Sequence, residues 1–554
     1  MKLKRKYLFL SSAILSTIAV PLISSSCERE EKLVEFAIPF SIKDKRSQTL
    51  KTLINRYNRE SLLKNENHRS ISLIYSSTSR ETLYYKLSLQ LKIDDPSIPS
   101  LIMYYPSAAW LINSYNKAID FSNEIKNSGI INQYLEINNK ISLNHSNKFV
   151  LPLGNSTDML VINKLNLGYF LSELKSFLSN NFPDKKLLDD NNSSILNSVV
   201  EHYEQSSPTI KEQIRSFWGI NFQDNLEKIK NKNFNYSDNI FKFNDDLFQI
   251  SNDIADIIEP NLNARILYSR HITNLFYNLS FNNGNGNYDD FILKYNQNNL
   301  IDYDSIYDPN TKQHQSLRKT YESLNNLINK KALYIDKNQT DSQRFIPPAS
   351  YDTIFTLTTN NAYNWIIGDN AIYDANGAER ESLLKKEDFL FFQAPTKNNA
   401  TQTIETFINQ GVNIVGIKHD NEKDKVVKDF IEWMYDQNNK IDWRDTATIN
   451  DEMLSSLTPS EYYAYVNNYI FPSSNFIENY KNINESKINL SNLNYIHMIE
   501  KLSSNESVLF EEPVDHLSDA FRNKIKYTMN SVALKNNFDE TTFEWFIDIL
   551  RTTS

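Results

Sequence analysis

Cysteine is almost absent from this chain: Cys27 is the only one in 554 residues. No intramolecular disulfide can form, so the core must be held by packing alone. Glycine is scarce as well, with ten residues, and beyond residue 23 no stretch is apolar enough to span a bilayer as a helix. A basic excess is also lacking, since 59 Lys and Arg stand against 68 Asp and Glu, a formal net charge of −9. Such a balance argues against general binding to nucleic acid or recruitment by charge to an anionic membrane. Enzyme signatures are missing too. The eight histidines are dispersed, with no HExxH or Cys/His metal spacing, no phosphate-binding loop and no nucleophile elbow. The sequence therefore predicts no catalytic residue, no metal site and no cofactor.

Aromatic residues are plentiful: 31 Phe, 31 Tyr and six Trp supply material for a large core. Asn, Lys, Ile and Tyr are heavily used, as AT-rich coding favours, so the asparagine content is not read as disorder. At this length two globular lobes are expected, with helical additions.

The first residues carry an address. Lys2, Lys4, Arg5 and Lys6 precede the apolar run YLFLSSAILSTIAVPLI (7–23), and Ser24 to Ser26 lead into Cys27. A basic stretch, an apolar core and small residues before a cut are the parts of a secretory signal, and Pro21 with the short run favours removal over permanent insertion. A cysteine directly after small residues resembles the bacterial lipobox, with Ser24 where Leu is usual, as in the relaxed lipoboxes of mycoplasmas. The resemblance implies a signal peptide over 1–26, diacylation (palmitate-type) of Cys27 and a stalk over 27–32. Removing residues 1–26 deletes four basic groups and no acid, which leaves a net charge of −13.

Further along, VEFAIPF (34–40) reads as a buried strand. Leu50, Leu53, Ile54 and Tyr57 mark one face of a helix over 47–59, ISLIYSS (71–77) is a second strand, and 80–91 a second amphipathic helix. SLIMYY (100–105) is a third strand, followed by a short helix around Trp110. This β-α-β-α-β run predicts a parallel sheet with helices on its faces. FVLPLG (149–154) and DMLVINK (158–164) are extended pieces with Asn155, Ser156 and Thr157 as a turn between them. The chain from about 170 to 277 reads as mainly helical, NNGNGN (282–287) as a turn, and 317–333 as a helix. GVNIVGI (411–417) is a strand, 423–435 a patterned helix, and the tail after 471 is helical.

This order resembles the extracellular solute-binding proteins of ABC importers, of the sugar-type group, and the enlarged mycoplasmal surface lipoproteins built on that scaffold. Four segments carry it: VEFAIPF with LINRYNRE (53–60); IPSLIMYYPSAAW (98–110), where Pro99-Ser100 replaces the family's Pro-Asp; FVLPLGNSTDMLVINK (149–164); and INQGVNIVGIKHDNEKDKVVKDFIEWMYD (408–436). The resemblance implies an α/β, two-lobed, type II periplasmic-binding-protein-like fold with enlarged helical insertions. One lobe would hold 33–155 and 409–470, the other 156–408 and 471–554. It further implies a membrane-anchored binding protein on the outer face of the cell membrane that delivers a ligand, of oligosaccharide type, to ABC permease subunits.

In such a cleft, ligands meet loops at strand ends. The expected ligand-binding residues are Phe40, Ser41, Ser76, Ser77, Tyr105, Trp110, Asn155, Ser156, Thr157, Gly411 and Asn413. Aromatic faces would stack on sugar rings and amides and hydroxyls would bond their hydroxyl groups. The same residues admit structural roles: Trp110 as core, and 155–157 as a bare turn. Trp365 and Trp443 read equally as cleft or core. Glu201-His202-Tyr203-Glu204 reads as a solvated helix face, and Asp302, Asp304 and Asp308 as a polar turn rather than a calcium loop. A second function class stays open: a surface lipoprotein that uses the scaffold for adhesion or protein–protein interaction. A surface hydrolase has the least support.

Overall fold

A computed structural model describes residues 33–75, 80–142, 146–258, 264–336, 350–367, 384–446, 452–483, 489–535 and 540–551. Cys27, Ser76 and Ser77 lie outside the described residues.

Twelve strands are described: β1 (Val34–Ile38), β2 (Ile71–Tyr75), β3 (Leu101–Tyr104), β4 (Val150–Ser156), β5 (Asp158–Asn163), β6 (Arg265–Ser269), β7 (Leu333–Ile335), β8 (Thr353–Thr359), β9 (Phe389–Gln393), β10 (Glu405–Ile408), β11 (Gln410–Gly416) and β12 (Ser507–Phe510). They form one sheet in the order β2-β1-β3-β11-β4, a second in the order β7-β6-β8-β5-β9, and a β10-β12 pair. In the first sheet β1 runs parallel to β2 and β3, while β11 is antiparallel to β3 and β4. In the second, β6 runs parallel to β7 and β8, while β5 is antiparallel to β8 and β9. Both sheets thus follow one plan, in which the antiparallel member is the strand that arrives from the other lobe. β5 follows β4 with Thr157 between them, and β11 follows β10 with Asn409 between them. The architecture is the two-lobed α/β fold expected.

Local chemistry accounts for the elements around the first sheet. Asp44 caps the helix Lys45–Lys64 by accepting from the Arg46 amide, and Leu50, Leu53, Ile54 and Tyr57 are buried along one face. Pro106 opens the helix Pro106–Ser114 at a position where a missing N–H costs nothing. Asp420 accepts from the Glu422 and Lys423 amides to start the helix Asn421–Tyr435. That helix buries Val426, Val427, Phe430, Ile431 and Met434, and Phe430 meets Phe36 of β1 edge-on with ring centroids 6.3 Å apart.

Three apolar clusters fill the body: one on both faces of the second sheet, and one on each face of the first. The region 170–400, opaque in sequence, supplies β6 to β9, four of the five strands of the second sheet. Their short runs, interrupted by long helices, carry too little periodicity to announce a sheet. The stretch 471–502, expected with the second lobe, buries Phe476, Tyr480, Tyr495 and Leu502 in a cluster shared with the first sheet. Phe510 and the buried apolar residues from Phe521 onward join the core of the second. A purely helical tail was expected, and β12 interrupts it. Four apolar-to-small residues, too few to show alternation, suffice there because β10 offers a parallel partner.

Candidate functional site

Strand direction fixes where a cleft lies. β1, β2 and β3 end at the edge of the first sheet where β4 leaves and β11 arrives, because Gln410 pairs with Ser156 and Asn413 with Tyr104. β6, β7 and β8 end at the matching edge of the second sheet, because Asp158 pairs with Thr359. The loops after β1, β3, β6 and β8 therefore face one another across the two crossings.

The crossings are held by a chain of side-chain amides. Asn155 Nδ2 donates to Asn409 Oδ1 at 2.7 Å, and Asn409 in turn donates to the Glu511 carboxylate. The Tyr495 hydroxyl also reaches Asn409 Oδ1, at 3.4 Å, and pairs with the Tyr134 hydroxyl at 2.9 Å. At the other crossing the Thr157 amide donates to Asn360 Oδ1 at 2.8 Å and the Thr157 carbonyl accepts from the Asn360 amide at 3.0 Å. Asn360 continues to Asn492, which donates to the Tyr480 hydroxyl at 3.2 Å. Gly411 sits at φ +141°, and a Cβ there would fall 2.0 Å from the Gly154 carbonyl, so only glycine lets β11 pass β4 so closely.

Two acids flank these amides, Asp158 buried and Glu511 half-buried. Asp158 opens β5; Gln410 donates to its Oδ1 at 2.5 Å and Asn274 at 3.3 Å. Loss of water raises its pKa to about 6, against the pull of those two amides and of Arg522. Arg522 itself bonds Asn274 at 2.9 Å and Glu512 at 2.7 Å. The Glu511 carboxyl, turned inward onto Asn409, is pushed up to about 8, chiefly by the same loss of water. Beside Asp158 lies a small pocket lined by Asn244, Ser269, His271 and Asn278 and by apolar residues such as Leu275 and Leu357, with room for about one water.

The expected ligand residues divide in two. Phe40 and Ser41 follow β1 and Tyr105 follows β3; Ser41 is exposed and Tyr105 is 40% exposed, so all three stand at the cleft end of the sheet. Phe40 is covered on one face by the Arg46 guanidinium, 3.7 Å from the ring centroid. Asn155, Ser156 and Thr157 are buried at the crossing, and the expected turn is instead strand up to Ser156, with Thr157 as the one break. Asn155 Oδ1 has no hydrogen-bond partner among the described residues. Gly411 and Asn413 are half-buried in β11 between β3 and β4. Trp110 is half-buried and lies stacked on His516, with ring centroids 5.9 Å apart. Trp443 is core, stacked on Tyr462 at 4.4 Å; Trp365 is half-buried against the second cluster.

One other expectation changes and one stands. His202 does not simply face water, because its Nε2 lies 2.9 Å from Asp388 across to the segment before β9. Asp302 behaves as the polar turn expected, accepting from the Asp304 and Ser305 amides. Among the described residues no group of three or more His, Cys, Asp or Glu could hold a metal ion. Residues the sequence did not flag include Asn360, Asn361, Asn409 and Glu511 at the crossings, together with Arg270 and His271 after β6. In a chain so rich in asparagine, those that build a hinge carry no distinguishing signal.

The lobes also touch away from the crossings. Ser107 Oγ donates to Asp519 at 3.1 Å, Asn361 Nδ2 donates to the Tyr469 hydroxyl at 3.2 Å, and the Lys140 ammonium lies 4.9 Å from the Tyr295 ring centroid.

Residues 408–534 match the family model of a mycoplasma lipoprotein C-terminal region, and residues 210–374 that of the Mycoplasma MG185/MG260 protein. Among curated proteins, an uncharacterized lipoprotein of Mycoplasma pneumoniae is 26% identical over 164 residues, 29% of this chain and 20% of that protein. A second protein of the same organism is 28% identical over 176 residues, 30% of this chain and 35% of that one. The matches thus span about a fifth to a third of these relatives. Among solved structures, an ABC substrate-binding protein from Listeria monocytogenes in complex with cycloalternan superposes with a TM-score of 0.53 at 10% identity, covering 94% of this chain and 98% of that one. The cyclic α-maltosyl-1,6-maltose binding protein of Arthrobacter globiformis gives 0.51 at 9% identity, covering 94% and 97%. Maltose-bound MalE3 of T. maritima gives 0.52 at 9% identity, covering 94% and 98%. The chain is similar in sequence to mycoplasmal lipoproteins and shares the fold of the sugar-type solute-binding proteins.

Proposed function

We propose that this protein is an extracellular solute-binding lipoprotein, tethered by lipid on Cys27, that closes over a ligand of oligosaccharide type and passes it to ABC permease subunits. The observation that carries the reading is the pair of sheets of one plan, joined by two crossings and facing each other with their strand ends. Two rigid bodies on short crossings are suited to hinge closure around a ligand. Phe40, Ser41 and Tyr105 from the first lobe, with Ser76 and Ser77, would meet Arg270, His271 and Asn361 from the second. Trp110, Asn155, Ser156, Thr157, Gly411 and Asn413 would support that wall or the hinge beneath it. Neither catalysis nor nucleic-acid binding is part of the proposal. A thermal-shift screen of the mature protein against maltodextrins, other oligosaccharides, nucleosides and peptides tests it: stabilisation by a sugar, weakened by Tyr105→Ala, is expected. No shift with any class would sink it. Cys27→Ser should move the protein out of the membrane fraction.

One observation favours a second reading, a surface lipoprotein for adhesion or protein contact. The lobes already meet through Ser107–Asp519 and Trp110–His516. Binding of a host or bacterial protein by a variant that ignores every solute would support that use.

A further inference from the structure

We infer that the base of the first lobe, the sheet edge opposite the cleft, rests on the surface of the bilayer to which the chain is tethered; this rests on the lipid-anchored reading above. β1, β2 and β3 run in parallel from that edge toward the cleft, so the helices between them must run back and end there. Their ends are unusually apolar for exposed positions. The helix Lys45–Lys64 finishes with Leu62 at 39% and Leu63 at 83% exposure, and Ile93, just past the helix Arg80–Lys92, stands at 72%. Tyr115, after the helix Pro106–Ser114, and Leu33, just before β1, are exposed at the same edge. Leu89, one turn before Ile93, carries the apolar surface up the outer face of its helix.

Such a concentration on one edge needs an occupant. The chain itself points to one. Leu33 is six residues past Cys27, and six residues span at most roughly 20 Å when fully extended. The edge that bears Leu33 is therefore confined to the neighbourhood of the membrane, whichever way the rest of the body turns. Lys64 and Lys92 close the two helices beside Leu63 and Ile93. Their stems can lie over apolar surface while the ammonium groups reach phosphate headgroups, as interfacial lysines do. Three acids of this edge are engaged, since Arg69 pairs with Asp420 at 3.3 Å and with Glu422 at 2.5 Å, and Lys117 pairs with Asp94; Glu66 and Asp95 stand beside them. Shallow apolar insertion, with the lipid doing the recruiting, reconciles this face with a chain whose net charge is negative. It would hold the cleft ends of β1 to β3 away from the bilayer, open to the medium.

The test uses the full lipidated protein in vesicles of phosphatidylcholine and phosphatidylglycerol. Cys27 is consumed in the thioether to lipid, so a single new cysteine can be labelled cleanly with a polarity-sensitive dye. Leu63→Cys and Ile93→Cys probe the base, and Leu534→Cys, exposed at 69% on a helix of the second lobe, is the control. Expected is a blue-shifted emission at 63 and 93, quenched by brominated acyl chains, with the dye at 534 remaining in water. Water-like emission at 63 and 93 from protein that floats with the vesicles overturns the inference while leaving the anchor intact. Protein that does not float at all overturns the anchored reading, and this inference with it. A blue shift that is insensitive to brominated lipid and grows with protein concentration assigns the face to a second copy instead.

Discussion

Asn155 and Asn409, 254 residues apart in sequence, meet amide to amide at 2.7 Å where the two chain crossings pass between the lobes. Asn409 also serves the Glu511 carboxyl and the Tyr495 hydroxyl, so one side chain ties together the ends of β4, β10 and β12. Asn409→Leu would keep the branched outline of the side chain and leave Asn155 and the Glu511 carboxyl without this partner, while the Tyr495 hydroxyl keeps its bond to Tyr134. Leaving a buried polar group unpaired costs about 1–3 kcal/mol. The variant is expected to lose roughly 2–4 kcal/mol in urea unfolding, and a loss under about 0.5 kcal/mol would show that the amide chain is not what holds the crossing.

Gly411 and Gly219 separate two roles of glycine. Both lie at positive φ, but a Cβ on Gly219 meets nothing within 4 Å, whereas one on Gly411 runs into the Gly154 carbonyl at 2.0 Å. Gly219→Ala should cost about 1 kcal/mol for the left-handed cap alone. Gly411→Ala must also push β11 from β4, and a loss of at least ~2 kcal/mol is expected. Equal losses in matched denaturant titrations would mean the close approach of β4 and β11 carries no weight.

How far these features were legible in the sequence depends on how locally each is determined. The helices at 45–64 and 421–435 were readable because Leu50, Leu53, Ile54 and Tyr57, or Val426, Phe430 and Ile431, recur at helical spacing within one segment. β1, β3 and β11 were readable as dense apolar runs. β7, three residues long, and β12, four, carry no period of their own and exist because a partner strand is in place. The site followed the same rule. Phe40 and Tyr105 could be placed because each directly follows a recognisable strand. Asn155 could be singled out at a strand boundary, but not its bond to Asn409, since that contact is created by tertiary closure. Asn360 and Glu511 were invisible for the same reason.

Asp158 and Glu511 predict the pH dependence of stability. Glu511 rises from 4.5 to about 8 on folding, and Asp158 from 3.8 to about 6. A carboxyl whose folded pKa is raised holds a proton that the unfolded chain releases. Stability therefore falls as pH climbs through this window, from about 4 up to about 8, and levels off above it. Glu511→Gln keeps the oxygen that accepts from Asn409 while removing the charge. It is expected to flatten the fall between pH 6 and 8, where Asp158 contributes little, and to raise stability at pH 8. Urea midpoints at pH 5, 6.5 and 8 give the comparison; an unchanged slope would place the proton elsewhere.

The contact between the lobes through Ser107, Trp110, His516 and Asp519 decides how freely the cleft opens. Ser107 and Asp519 lie in the first turns of the helices Pro106–Ser114 and Ser518–Lys535, which their hydrogen bond joins across the lobes, while Trp110, further along the first helix, stacks on His516, just before the second. A buried hydroxyl–carboxylate bond is worth about 1.5–3 kcal/mol, and an aromatic pair about 0.5–1.5 kcal/mol. Energies of that size are enough to shift an open–closed equilibrium by tenfold or more, yet small beside the cores of the lobes. Ser107→Ala with Trp110→Ala should therefore increase the radius of gyration of the ligand-free protein in X-ray scattering while lowering the melting temperature only slightly. A solute that closes the cleft should restore the compact form. If the double variant scatters as the parent does, the crossings alone hold the lobes together, and the Trp110–His516 stack serves only to cover the outer face of the helix on which Trp110 lies.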